Sequence, residues 1–170
     1  MAINRLAKQV VDELRAHGKT IATVESCTGG LLSGAITSVA GSSDVFGYGF
    51  VTYANAAKTD LVGVPEYLLQ SRGAVSIEVA ASMAEGGLKT SGASICVSIT
   101  GVAGPGGGTA GKPVGTVCFG LSYRDPEDEI VTVAQRMDFG DLGRDKIREK
   151  SVEHALNGVL DLLAIRFAPA

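Results

Sequence analysis

The sequence predicts a three-layer α/β/α domain around a mixed sheet, parallel in its middle and closed by a late antiparallel hairpin. Three observations predict it. Short apolar strand-like runs alternate with amphipathic helical stretches over the first hundred residues. Ser94-Ile-Cys-Val-Ser-Ile-Thr100 is a continuous run of the kind buried on both faces of a parallel sheet. Finally, Val114–Tyr123 and Ile130–Phe139 flank the turn Arg124-Asp-Pro-Glu-Asp128, a hairpin signature. A chain of 170 residues has the size of one domain, and the expectation is a single domain over residues 1–170, with no repeat and no linker.

The first helix is expected over about residues 2–17, where Leu6, Val10, Val11 and Leu14 share a face and His17-Gly18 stops it. Lys19–Val24 reads as a buried strand. Leu31–Val39 reads as a helix with Leu31, Leu32, Ala35, Ile36 and Val39 inward. A turn cluster, Ala40-Gly-Ser-Ser-Asp44, precedes a second strand over Phe46–Tyr53. Short helices follow, from Asn55 towards Val62 and from Pro65 to Leu69. The next helix, Ser76–Thr90, is capped by Ser76 and presents Val79, Ala80, Met83 and Leu88 to the core. The last helix spans about residues 143–166 and buries Val152, Leu156, Val159, Leu160 and Leu163.

Composition narrows the function classes. Apolar residues make up 45% and charged residues 19%, and the net charge is −3 with no Trp and no basic run, which argues against nucleic-acid binding. No apolar run reaches membrane-spanning length, and Met1–Lys8 leads into a helix without a signal-peptide pattern, so a cytoplasmic protein is expected. Cys27, Cys96 and Cys118 are odd in number and lack metal-ligand spacing; reduced thiols and no metal are expected. The apolar composition suggests a homo-oligomer.

The stretch Glu25-Ser-Cys-Thr-Gly-Gly30 lies between the first strand and its helix, at a strand's carboxyl end, where open α/β folds collect ligands. Ser26 or Thr28 either caps the helix or does chemistry there. Histidine offers little help: His17 and His154 lie in the first and last helices, away from such loops, so a Ser-His-Asp triad is poorly supported. Lys58, five residues beyond the second strand, is a solvated helix lysine or a base whose pKa burial has lowered. The loop Thr100-Gly-Val-Ala-Gly-Pro-Gly-Gly-Gly108 is a flexible turn or a ligand cradle, and it lacks the lysine of a Walker loop. Arg144 and Arg148, four apart, either pair with Asp141 and Asp145 or hold a phosphate at the start of the last helix.

Taken in order, Glu25–Gly30, Ala40-Gly-Ser-Ser43, Gly49-Phe-Val-Thr-Tyr53 with Asn55 and Lys58, Gly73-Ala-Val-Ser76, Thr100-Gly-Val-Ala-Gly-Pro105, Lys112-Pro-Val-Gly-Thr116 and Arg144 to Arg148 resemble the C-terminal domain of the competence/damage-inducible protein CinA. The resemblance covers essentially the whole chain. Larger members carry an additional N-terminal domain similar to molybdopterin-binding proteins, whose activity is not expected here. The resemblance implies a nicotinamide mononucleotide deamidase that needs no cofactor, with Ser26 as nucleophile, Lys58 as base and Tyr53 orienting one of them. It further implies Thr28, Gly29 and Gly30 as oxyanion donors. Substrate contacts are expected from Ser42, Ser43, Thr100, Gly101, Gly104, Gly106, Lys112, Arg144 and Arg148. The partner would be a pyridine mononucleotide. A non-catalytic nucleotide-binding module of the same family is the alternative.

Overall fold

Side chains of a strand alternate between faces, and the first strand divides the core in two on that basis. In a computed structural model, which describes residues 2–167, Ile21 joins one apolar cluster while Ala22 and Val24 join another. The strands are β1 (Ile21–Glu25), β2 (Phe46–Val51), β3 (Ile95–Gly101), β4 (Thr116–Arg124) and β5 (Ile130–Asp138), in spatial order β2-β1-β3-β4-β5. β1 runs parallel to β2 and β3, and β3-β4-β5 are antiparallel, so the sheet is mixed as expected.

Helices cover both faces. α1 (Ala2–His17), α2 (Leu31–Thr37) and α6 (Arg144–Arg166) bury Leu14, Leu32, Ile36, Leu156 and Leu163 against one side. α3 (Asn55–Val62), α4 (Glu66–Arg72) and α5 (Ile77–Ser91) bury Val62, Leu69, Met83 and Leu88 against the other. Burying each such side chain favours folding by about 1.5–3 kcal/mol before entropy is counted. α5 lies very close to the sheet: a Cβ on Gly87 would come within 2.5 Å of Val24 Cγ2, and one on Gly120 within 2.2 Å of Ala80 O.

Several boundaries move for physical reasons. β2 ends at Val51, two residues short of the expectation, because the next two carbonyls, Thr52 O and Tyr53 O, accept from Lys58 Nζ as the chain turns into α3. Leu31 is 44% exposed rather than inward, since the two-turn helix is anchored by the i,i+4 pair Leu32 and Ile36. α4 runs on to Arg72. Opposite the Ile21/Ala22 step, β2 carries one extra residue, Gly47, after which the ladder is regular from Ala22↔Tyr48 to Glu25↔Val51. The ends of the expected 1–170 domain, residue 1 and residues 168–170, lie outside the described residues. Among the described residues no helix is long and apolar enough to cross a membrane.

Candidate active site

The ladders of β1 bring two distant residues together at its carboxyl end. Ser26 N–H donates to Ile99 O (2.9 Å), extending the β1–β3 ladder, and Thr52 N–H donates to Glu25 O (2.8 Å), extending the β1–β2 ladder. The chain then turns into α3, whose fourth residue is Lys58. Its side chain is only 1% exposed, and Nζ stands 3.1 Å from Ser26 Oγ. Nζ also donates to Thr52 O at 2.7 Å and to Tyr53 O at 3.3 Å. Burial lowers the Lys58 pKa below the ordinary lysine value, because desolvation disfavours the ammonium. In the neutral amine, two N–H bonds satisfy the two carbonyls and the lone pair remains for the serine hydroxyl proton.

Neither Ser26 nor Thr28 caps α2 with its side chain; the N-cap is Gly30, which has none. The capping acceptor comes from upstream. The Glu25 carboxylate, fully buried, accepts the Leu32 N–H at 2.8 Å and the Ser33 N–H at 3.0 Å. Sequence reasoning missed this residue, although two signals pointed to it: a charge inside a buried strand needs partners, and a helix starting at glycine needs an acceptor.

Gly29 and Gly30 take positive φ (53° and 103°), as the tight strand-to-helix turn requires. The Gly29 N–H donates to Ser26 O at 3.0 Å and is engaged in the turn itself, which takes it out of the expected oxyanion set. The N–H groups of Thr28 and Gly30 have no partner among the described residues.

Both arginines of the first turns of α6 reach this region, and neither forms an ion pair with Asp141 or Asp145. Arg148 donates through Nε to Cys27 O (3.1 Å) and through Nη2 to Thr28 O (3.3 Å). Arg144 donates to Gly104 O (2.7 Å) of the glycine-rich loop and to the Tyr53 hydroxyl (3.1 Å). The Tyr53 ring is 61% exposed, and its phenol meets Arg144 rather than the dyad. What Tyr53 offers Lys58 is its backbone carbonyl.

Other expected residues are placed differently. Ser42 and Ser43 form a single 3-10 turn that precedes β2, at the amino ends of β1 and β2 and therefore at the opposite end of these strands from Ser26. The structure does not bring them to the site. Lys112 donates to Arg72 O at the end of α4 (2.7 Å), and Thr100 Oγ1 donates to Ala74 O (2.8 Å), so both brace the α4–α5 connection. Gly101 packs against Thr116 and Val117 of β4, whereas Gly104 and Gly106 belong to the loop that Arg144 holds. Cys27 adjoins Ser26, but burial pushes its thiol up to about 11, and burial raises Cys96 and Cys118 as well. His154 packs against Phe119 with its ring tilted (4.4 Å between ring centres) and bonds Gln135, and burial lowers its pKa. Among the described residues no three His, Cys, Asp or Glu side chains converge as a metal group.

Fold and site together define a three-layer α/β domain with a serine–lysine hydrogen bond at the carboxyl edge of its sheet. Comparison with known proteins gives the family. The CinA C-terminal domain model matches residues 3–163, and the chain belongs to that family. A putative competence-damage inducible protein of Symbiobacterium thermophilum is 53% identical over 154 residues, covering 87% of this chain. The chain spans only 36% of that relative's length. Nicotinamide-nucleotide amidohydrolase PncC of Enterobacter agglomerans is 44% identical over 158 residues, with 93% of each protein covered. The crystal structure of a competence/damage inducible protein from Agrobacterium tumefaciens superposes with a TM-score of 0.89 at 42% identity, covering 95% of this chain and 96% of the other.

Proposed function

We propose that this protein hydrolyses the carboxamide of nicotinamide mononucleotide, giving nicotinate mononucleotide and ammonia through an acyl-enzyme on Ser26. One observation carries the reading: the buried amine of Lys58 lies 3.1 Å from Ser26 Oγ, with two backbone carbonyls fixing its direction. A relative of the same length that bears an amidohydrolase name supports the substrate class.

In this scheme neutral Lys58 takes the Ser26 proton as Oγ attacks the carboxamide carbon. The carbonyl oxygen becomes a tetrahedral oxyanion, for which the Thr28 and Gly30 amides are the donors. Each such donor is typically worth about 3–4 kcal/mol in the transition state. Lys58 passes its proton to the amide nitrogen, the C–N bond breaks and ammonia leaves. Water, deprotonated by Lys58, then attacks the ester, releasing nicotinate mononucleotide and restoring the Ser26 hydroxyl. Arg144 holds one wall of the glycine-rich loop and keeps a cation there for the 5′-phosphate. Arg148 steadies the turn from the other side.

The test is direct. Purified protein is incubated with nicotinamide mononucleotide, and ammonia and nicotinate mononucleotide are quantified beside Ser26→Ala. Equimolar release by wild type and none by the variant is expected. Equal, zero rates from two proteins that both bind the nucleotide would leave a binding module instead.

A further inference from the structure

Glu25 is the one charged residue of β1, whose five residues are all buried. Among the described residues no basic side chain lies within ion-pair distance of it. Removing a carboxylate from water is costly unless donors replace the water, and here four do. Oε1 accepts the Thr28 hydroxyl at 2.7 Å and the Leu32 N–H at 2.8 Å. Oε2 accepts the Ser33 N–H at 3.0 Å and the Ser33 hydroxyl at 2.8 Å. Ser33 Oγ is itself 2.7 Å from Thr23 Oγ1, which ties the network back to β1.

These bonds close a ring around residues 26–31, the segment that carries the Ser26 hydroxyl and the Thr28 and Gly30 amides. Without them, two glycines at positive φ, the second of them the N-cap of α2, leave that segment with little stiffness of its own. Arg148 restrains its carbonyls from the α6 side, and Glu25 restrains it from beneath.

We propose that Glu25 is a positioning residue for the Ser26–Lys58 reaction: its carboxylate fixes the nucleophile turn so that hydroxyl and oxyanion amides keep one geometry. The proposal rests on the amidase reading of the site. Glutamine has the same shape but replaces one acceptor oxygen with an amino group, which faces one backbone N–H and one hydroxyl wherever it is placed. The hydroxyl can turn to accept, but the N–H cannot, so a backbone restraint on the start of α2 is lost and a donor is left facing a donor. A displacement of about 1 Å at a reacting group costs on the order of 100-fold in rate. Arg144 and its loop do not touch the carboxylate, so ground-state binding stays.

The experiment compares wild type, Glu25→Gln and Ser33→Ala, the last removing a single carboxylate bond. Three quantities are read: the thermal midpoint, kcat and KM for nicotinamide mononucleotide, and the rate at which a fluorophosphonate labels Ser26. Folded Glu25→Gln is expected to lose about 100-fold in kcat and a comparable factor in labelling, with KM within about threefold; Ser33→Ala loses about fivefold in kcat. Folded Glu25→Gln with kcat and labelling within threefold of wild type overturns the proposal, as does a raised KM at unchanged kcat. If Glu25→Gln does not fold, unchanged kcat and labelling in Ser33→Ala overturn it. A wild type that is labelled at Ser26 yet releases no ammonia refutes the substrate assignment alone, and labelling rates then decide the role of Glu25. A wild type showing neither activity nor labelling overturns both.

Discussion

Replacing Lys58 with methionine removes the amine and keeps an unbranched stem in the same buried channel. Thr52 O and Tyr53 O lose their donor, at about 1–3 kcal/mol for each orphaned carbonyl, while relief from desolvating an amine acts in the opposite direction. The variant is therefore expected to fold. Its chemistry fails for a reason visible in the 3.1 Å Nζ–Oγ contact: base and nucleophile handle one proton and act as a unit. General-base loss alone costs about 10²–10⁴-fold. For a coupled pair, Ser26→Ala, Lys58→Met and the double variant should each lose about 10⁴-fold in kcat, or ~5 kcal/mol of transition-state stabilisation. Independent contributions would instead multiply to about 10⁸-fold. Chromatographic quantification of nicotinate mononucleotide at high enzyme concentration resolves the difference. The pH profile gives a second reading of the same group. The neutral amine is the active form, so kcat/KM rises with pH along a limb whose midpoint lies below the ordinary lysine value, because burial disfavours the ammonium. Between that depressed value and the unfolded lysine pKa of about 10.4 the unfolded chain binds more protons, so stability also rises with pH across that window. Lys58→Met flattens it. More than a tenth of wild-type activity in Lys58→Met, or a double variant over 100-fold worse than either single one, refutes the shared-proton reasoning.

Cys27 sits next to the nucleophile, yet its thiol is held at about 11 by burial; iodoacetamide at pH 8 should leave it unmodified by mass spectrometry, and Cys27→Ser should keep activity within about threefold. Arg144→Met loses both the Gly104 carbonyl and the Tyr53 hydroxyl, and steady-state kinetics should show KM rising about tenfold or more. Tyr53→Phe removes only the weaker of these contacts and keeps the carbonyl that orients Lys58, so a kcat within about threefold is expected; a collapse would restore a chemical role for the phenol. Gly120→Ala places a Cβ within 2.2 Å of Ala80 O and 2.6 Å of Ser98 Oγ, overpacking the α5–sheet contact. About 3 kcal/mol and a thermal midpoint lower by about 10 °C by calorimetry are expected.

Hydrophobic period carried most of the architecture into the sequence. The buried run at β3, the hairpin and the amphipathic faces of α1, α5 and α6 were all legible because burial writes itself into spacing. The strand-end positions of Ser26 and Lys58 were legible too, but not their meeting, which depends on β2 lying beside β1. Tertiary hydrogen bonds left less trace. Arg144 and Arg148 read equally well as partners of nearby aspartates, and only the placement of α6 showed that they hold loop carbonyls. Ser42 and Ser43 looked like site residues from their motif, whereas the parallel pairing of β1 and β2 sends their turn to the far end of the strands. Tyr53 exchanged roles between phenol and carbonyl, a distinction that residue type cannot encode.

The extra residue of β2 has a consequence for how length changes spread through the chain. Lys58 is tied to Ser26 by a path of only a few links: Glu25 O to Thr52 N–H, then Thr52 O to Nζ. All of them lie beyond the bulge at Gly47. Slack introduced on the amino side, in the 38–45 connection, meets an irregular ladder step first and is taken up there. Insertions or deletions in that connection are therefore tolerated at the serine–lysine pair, whereas a single residue added in the extended stretch between Val51 and Asn55 advances the chain by about 3.3 Å and separates them. The domain thus has one end whose spacing is free to drift and one whose spacing is fixed to the residue.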